Sequence, residues 1–157
     1  MAGIKQTFVT KLTDVNSTAQ EVLGTLRFEG NKVYKYVEFK NTTATVAGAA
    51  GSLVGYNAAT GYLNNKVVAD LTDADAAVFP AGVTLAAVTG TLATSYFIWI
   101  QIKGYVVLDT AVTSGAAGSP FYLTTTDKTG AICSAATQAP AGISMNTTTG
   151  VSLNCNF

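Results

Sequence analysis

Gly24-Thr25-Leu26-Arg27-Phe28-Glu29-Gly30-Asn31-Lys32-Val33-Tyr34-Lys35-Tyr36-Val37-Glu38-Phe39 decides the fold, because it reads as two strands joined by a tight turn. Glu29-Gly30-Asn31 is the turn, built from residue types that accept the backbone angles a reversal needs. From Lys32 onward the side chains alternate, so Val33, Val37 and Phe39 share one face and Tyr34, Tyr36 and Glu38 share the other. The aliphatic face belongs to a core. The tyrosine face is expected to meet another protein.

Working outward, further strand signals follow. Tyr96-Phe97-Ile98-Trp99-Ile100-Gln101-Ile102 is apolar on both faces until Gln101, the pattern of a central strand covered on both sides. Gly104 then interrupts before Tyr105-Val106-Val107-Leu108, which marks a bulge or a sharp bend. A strand is expected at 52 to 56, followed by a polar turn at 57 to 61. Two more are expected at 121 to 126 and 131 to 133, around the turn Asp127-Lys128-Thr129-Gly130. The stretch 151 to 157 alternates cleanly, which places Cys155 beside Val151 and Leu153 as a small buried hydrophobe. The best helix in the body is expected at 71 to 77, with Thr72 and Asp75 at N-cap spacing and Pro80 closing it.

One internal echo stands out. Pro80-Ala81-Gly82-Val83-Thr84-Leu85 and Pro140-Ala141-Gly142-Ile143-Ser144-Met145 match in residue type, and glycines follow ten residues after each proline, at Gly90 and Gly150. The same turn-strand-turn unit is used twice, at equivalent corners of a barrel or sandwich.

Residues 1 to 22 behave differently. They lack a sustained period and mix Lys5, Lys11 and Asp14 with Thr, Asn, Ser and Gln. They read as a flexible docking arm, with one short helical turn from Ser17 or Thr18, whose partners three residues on are Gln20 and Glu21, stopped by Gly24. Residues 23 to 157 form the body. The expected fold is therefore all-β, a jelly-roll-like β-sandwich or barrel with an N-terminal arm.

Composition narrows the function. Of 157 residues, 48% are hydrophobic and only 11% are charged, against about 25% charged in an ordinary soluble domain. A chain so poor in charge expects neighbours. Nine basic and nine acidic residues cancel and are scattered, so no electrostatic footprint for nucleic acid or an anionic membrane is present. No signal peptide is read at the start, and no apolar run approaches the roughly 20 residues of a membrane helix. Synthesis in a cytoplasm is the expectation, with Cys133 and Cys155 as free thiols.

Catalytic chemistry is hard to find. The chain has no histidine, which removes the commonest general base, nucleophile partner and metal ligand. The one acidic cluster, Asp70, Asp73 and Asp75, lacks the glycine and distal glutamate of a calcium loop and reads as a solvated helix start. Glycine pairs such as Gly48 with Gly51 and Gly115 with Gly118 are not followed by Lys-Ser or Lys-Thr, so no phosphate loop is expected. No cofactor, metal or enzymatic activity is expected. Sequons such as Asn41-Thr42-Thr43 are assigned no function in so threonine-rich a chain. The aromatics Tyr34, Tyr36, Phe97, Trp99 and Tyr105 leave a sugar site open, with Phe97 and Trp99 read as core.

Leu23-Gly24-Thr25-Leu26-Arg27 leading into Tyr34-Lys35-Tyr36-Val37 resembles the opening of capsid decoration, or cement, proteins and head-fibre proteins of tailed bacteriophages. Trp99-Ile100-Gln101-Ile102-Lys103-Gly104, Pro120-Phe121-Tyr122-Leu123 and Pro140-Ala141-Gly142-Ile143 resemble their aromatic strand, late hairpin and alanine-glycine corner. The resemblance runs from about Leu23 onward. It implies a virion protein, trimeric, that sits on the outer capsid surface and clamps neighbouring major capsid subunits. It brings no catalytic residues. The arm lies outside it, and the contact with capsid protein is expected through Phe8, Val9, Lys11 and Leu12 together with Tyr34 and Tyr36. The rival readings are a head- or tail-fibre module holding host glycans, a carboxylate-based hydrolase, and a head-tail connector component.

Overall fold

A computed structural model describes residues 7–57, 65–72, 79–114, 116–133, 140–145 and 149–155. The all-β expectation holds, and it takes the form of a barrel. Among the described residues eleven strands follow in order: β1 (Val15–Asn16), β2 (Leu26–Glu29), β3 (Lys32–Phe39), β4 (Leu53–Tyr56), β5 (Lys66–Val68), β6 (Pro80–Thr84), β7 (Tyr96–Val107), β8 (Pro120–Leu123), β9 (Gly130–Ile132), β10 (Gly142–Ser144) and β11 (Gly150–Asn154). β3, β5, β4, β6 and β7 pair in that order, and β7 returns to β3 to close a five-strand barrel. Only the β3–β5 contact within it is parallel.

The long strand β7 organises everything else. Its first half pairs with β3 on one edge and with β1 and β6 on the other. Its second half leaves the barrel and pairs with β11, which continues through β10 and β8 to β9. The departure is at Gly104, whose φ of +92° favours glycine. A Cβ there would stand 2.7 Å from the Asn31 carbonyl oxygen at the tip of the β2–β3 hairpin. Residues 98 to 102 are all buried, as expected for a central strand. Val37, Phe39, Leu53, Val67, Val83, Ile98, Ile100 and Ile102 share one core with Phe121, Leu123, Val151, Leu153 and Cys155, so barrel and extension are one hydrophobic unit.

The alternation read in β3 is correct, but its tyrosine face is not free. Tyr36 is fully buried, Tyr34 nearly so, and both pack with Trp99 in a second, smaller core. Their cover is the N-terminal segment itself, which contributes Phe8, Leu12 and Leu23. Residues 7 to 22 are therefore a strap docked on the barrel rather than a free arm. Its strand β1 adds to β7 through Val15 opposite Ile98 and Asn16 opposite Phe97. The physical reason is that a strand apolar on both faces needs two covers, and the strap supplies the second. The helical turn expected at Ser17 or Thr18 is absent, because Glu21 turns back to hold the strap instead of capping.

Several smaller expectations resolve in the same way. The turn at 57 to 61 lies outside the described residues apart from Asn57, as does most of the helix expected at 71 to 77, Asp73 and Asp75 included. Pro80 opens β6. Asp70 is not a solvated helix start but a buried carboxylate that accepts bonds from the Thr43 hydroxyl, the Ala44 amide, and the amide and hydroxyl of Thr72. Burial pushes its pKa up, but those four bonds outweigh the burial and hold it below the usual carboxylate value. Asp70 thus ties the loops after β3 and β5 together.

Lys35 occupies a place the sequence did not flag. It shares the inward alternation of Val33 and Val37, is buried, and donates from Nζ to the Tyr56 hydroxyl at 3.0 Å. Burial lowers its pKa.

Cys155 is buried as expected, with its thiol directed at the Ala141 carbonyl oxygen, 3.4 Å away, and both cysteines are free. Burial pushes the Cys155 thiol up to about 12, from an ordinary value of 9.0. Between those values the unfolded chain loses the proton while the folded chain keeps it. Stability should therefore fall as pH rises above about 9, by at most about 1.4 kcal/mol per pH unit from this group. Lys35 acts with the opposite sign, gaining stability as pH rises from its lowered pKa toward 10.5. Urea denaturation of the wild type and Cys155→Ala between pH 8 and 11 isolates the thiol. The variant should lose less stability on going alkaline, and parallel curves would show that the thiol is not the cause.

Candidate interaction surfaces

Among the described residues, two surfaces gather several exposed side chains around a fixed backbone. The first is the strap. The Glu21 carboxylate accepts the Val9 amide at 2.7 Å, the Thr10 amide at 3.2 Å and the Thr10 hydroxyl at 3.3 Å, so one oxygen staples the two ends of the strap together. Thr10 in turn accepts the Trp99 indole N–H at 2.8 Å. Phe8 meets Trp99 edge to face with ring centroids 5.4 Å apart, and the Arg27 guanidinium lies 5.0 Å above the Phe8 ring. The Gln20 backbone N–H donates to the Tyr36 hydroxyl at 3.1 Å.

Of the residues expected to contact capsid, the structure divides the six. Phe8 and Leu12 face the barrel as part of the second core, and Tyr34 and Tyr36 lie beneath them, so these tyrosines offer no surface to a partner. Val9 and Lys11 face outward. The staple brings Val9 to the segment that carries Val22, and the two are 78% and 79% exposed, the highest values among the exposed large hydrophobic side chains described. Sequence reasoning passed over Val22.

The second surface is a groove at the bend of β7. Gln101 makes it. The two N–H groups of its buried side-chain amide are shared among the carbonyl oxygens of Lys103, Gly104 and Tyr105 at 3.1, 3.1 and 3.0 Å, pinning the backbone where the strand leaves the barrel. Lys103, Tyr105 and Val107 then point outward in alternation. Register sets Tyr105 beside Ser152 of β11, and Ser152 beside Ile143 of β10. Asn31 of the hairpin tip bounds the groove on one side and Met145 on the other, with Asn154 opposite Lys103. Tyr105 is 47% and Met145 55% exposed. The signal for this site was present: a glutamine closing an apolar run three residues before a glycine.

Among the described residues no group of three or more histidine, cysteine or acidic side chains is placed to hold a metal ion. No helix there is long and apolar enough to cross a membrane. Compared with protein-family models, curated proteins and solved structures, the chain finds no match.

Proposed function

We propose that this protein is a structural component of a bacteriophage particle. As a homotrimer it docks on the outer capsid surface and clamps neighbouring major capsid subunits. The support is the resemblance of its strand and corner motifs to decoration proteins, the low charge of the chain, and the strap. Val9 and Val22 carry the reading: two large apolar side chains left almost fully in water on a stapled, preorganised segment suit a protein contact. Lys11 adds a charge for register. Symmetric copies touching several capsid subunits gain by effective concentration even when each contact is weak.

Co-sedimentation with capsids lacking the protein tests it. The wild type should saturate at a copy number matching symmetry-equivalent sites. Val9→Asp with Val22→Asp, both on the solvent side, should fold normally and bind at least tenfold more weakly. Equal saturation by the double variant would refute docking through the strap, and no saturable binding by the wild type would refute the reading as a whole.

A further inference from the structure

Apart from the core residue Leu153, the lining of the groove at the bend of β7 serves neither the strap nor the core. We infer that it binds an oligosaccharide containing methyl-bearing sugars, N-acetyl or 6-deoxy. Four observations converge.

The half-exposed ring of Tyr105 is a flat apolar platform, and among the described residues no other aromatic ring packs against it. The C–H face of a pyranose stacks on such a ring. Around it stand Asn31, Ser152 and Asn154, which together offer amide and hydroxyl donors and acceptors, the pairing a sugar's vicinal hydroxyls require. Ile143 and Met145 form the wall beyond Ser152, exposed and apolar, at the right place for a methyl group. Lys103 is the one formally charged side chain in the lining, which disfavours a polyanionic strand such as nucleic acid.

The site is also held in advance. Gln101 fixes the backbone of residues 103 to 105 from beneath, and the Asn31 carbonyl lies against Gly104 where any side chain would collide. A ligand entering such a groove does not have to order it, which lowers the cost of binding. Gln101 is thus a positioning residue, and Tyr105 and Asn154 are the expected contacts.

The experiment uses the full chain, labelled with nitrogen-15. It is titrated with chitohexaose, with a rhamnose-containing bacterial O-polysaccharide, and with maltohexaose as a control that has no methyl group. The expected result is saturable shifts at Gly104, Tyr105 and Asn154 with chitohexaose or the O-polysaccharide, and at least tenfold weaker shifts with maltohexaose. Tyr105→Ala should weaken binding at least tenfold without changing the melting temperature, while Tyr105→Phe stays within about threefold because the ring face survives. Gln101→Leu should weaken binding with Tyr105 intact.

The proposal is overturned by no shift at these residues with either methyl-bearing saccharide, by binding that Tyr105→Ala leaves unchanged, or by equal response to maltohexaose. Protection of Tyr105 and Met145 from solvent on assembled particles would assign the groove to a protein contact and overturn it too. Capsid binding is read separately, through Val9 and Val22, so failure of one does not count against the other.

Discussion

Replacing Trp99 by alanine is expected to destabilise the protein by about 3–5 kcal/mol, the cost of emptying a large buried aromatic site. The indole is almost fully buried and joins β7 to the strap, through Phe8 and the Thr10 hydroxyl that accepts its N–H, and to β3, through Tyr36. Truncation leaves that hydroxyl without its donor, uncovers Tyr36 and removes the surface on which Phe8 rests. Trp99→Phe keeps part of the ring packing and should cost less. Urea denaturation measures both, and limited proteolysis should cut the strap of the alanine variant first. Since Trp99 is the single tryptophan, its fluorescence in the wild type also reports strap docking, and Thr10→Val should shift it to the red. A loss below about 1 kcal/mol for Trp99→Ala would be too small for an aromatic core anchor and would mean that the strap does not seal this face.

Alanine at Gly82 or at Gly142 should each cost about 3 kcal/mol or more, at the upper end of overpacking penalties because the obstacle is backbone. A Cβ at Gly82 would stand 2.4 Å from the Gln101 carbonyl oxygen, and one at Gly142 would stand 2.2 Å from the Ser152 carbonyl oxygen. Neither strand can move away without breaking its ladder. Gly118→Ala is the control: it has open space around it, so its expected cost is only the strain of its φ of +84°, about 1 kcal/mol. Thermal or urea unfolding of the three variants makes the comparison. Similar small losses for all three would show that the strands can part, against the packing described.

These two glycines give the internal echo its physical content. In both copies the alanine before the glycine is fully buried, the glycine admits a neighbouring carbonyl, and the hydroxyl two residues on is buried, as Thr84 and Ser144. The copies part at Val83 and Ile143. Val83 is enclosed because β6 lies inside the closed barrel, whereas Ile143 is half exposed because β10 belongs to the open extension. The same local sequence thus serves a core wall once and an exposed groove wall once.

Such contrasts separate what the chain wrote locally from what required the fold. Alternation alone gave the two faces of β3, and an unbroken apolar run gave the central place of β7, because side-chain direction in a strand follows from position parity. Asp127 to Gly130 gave its turn, and Cys155 its burial, for equally local reasons. Nothing local told whether the tyrosine face of β3 meets a partner or the chain's own beginning. That depends on Phe8 and Trp99, which lie far apart in sequence and meet only when the strap crosses the closed barrel. Barrel closure itself, through β7 returning to β3, is a long-range pairing that no window of sequence contains. The groove has the same origin, since Asn31, Tyr105, Ile143 and Asn154 come from four separate segments that register alone brings together. Sequence by itself determined the long strands of the body and the parity of their faces, but not β1 or β5. Tertiary structure decided which apolar face is covered from within and which is left for a ligand, because burial is settled by whichever segment can reach a face and complement its shape.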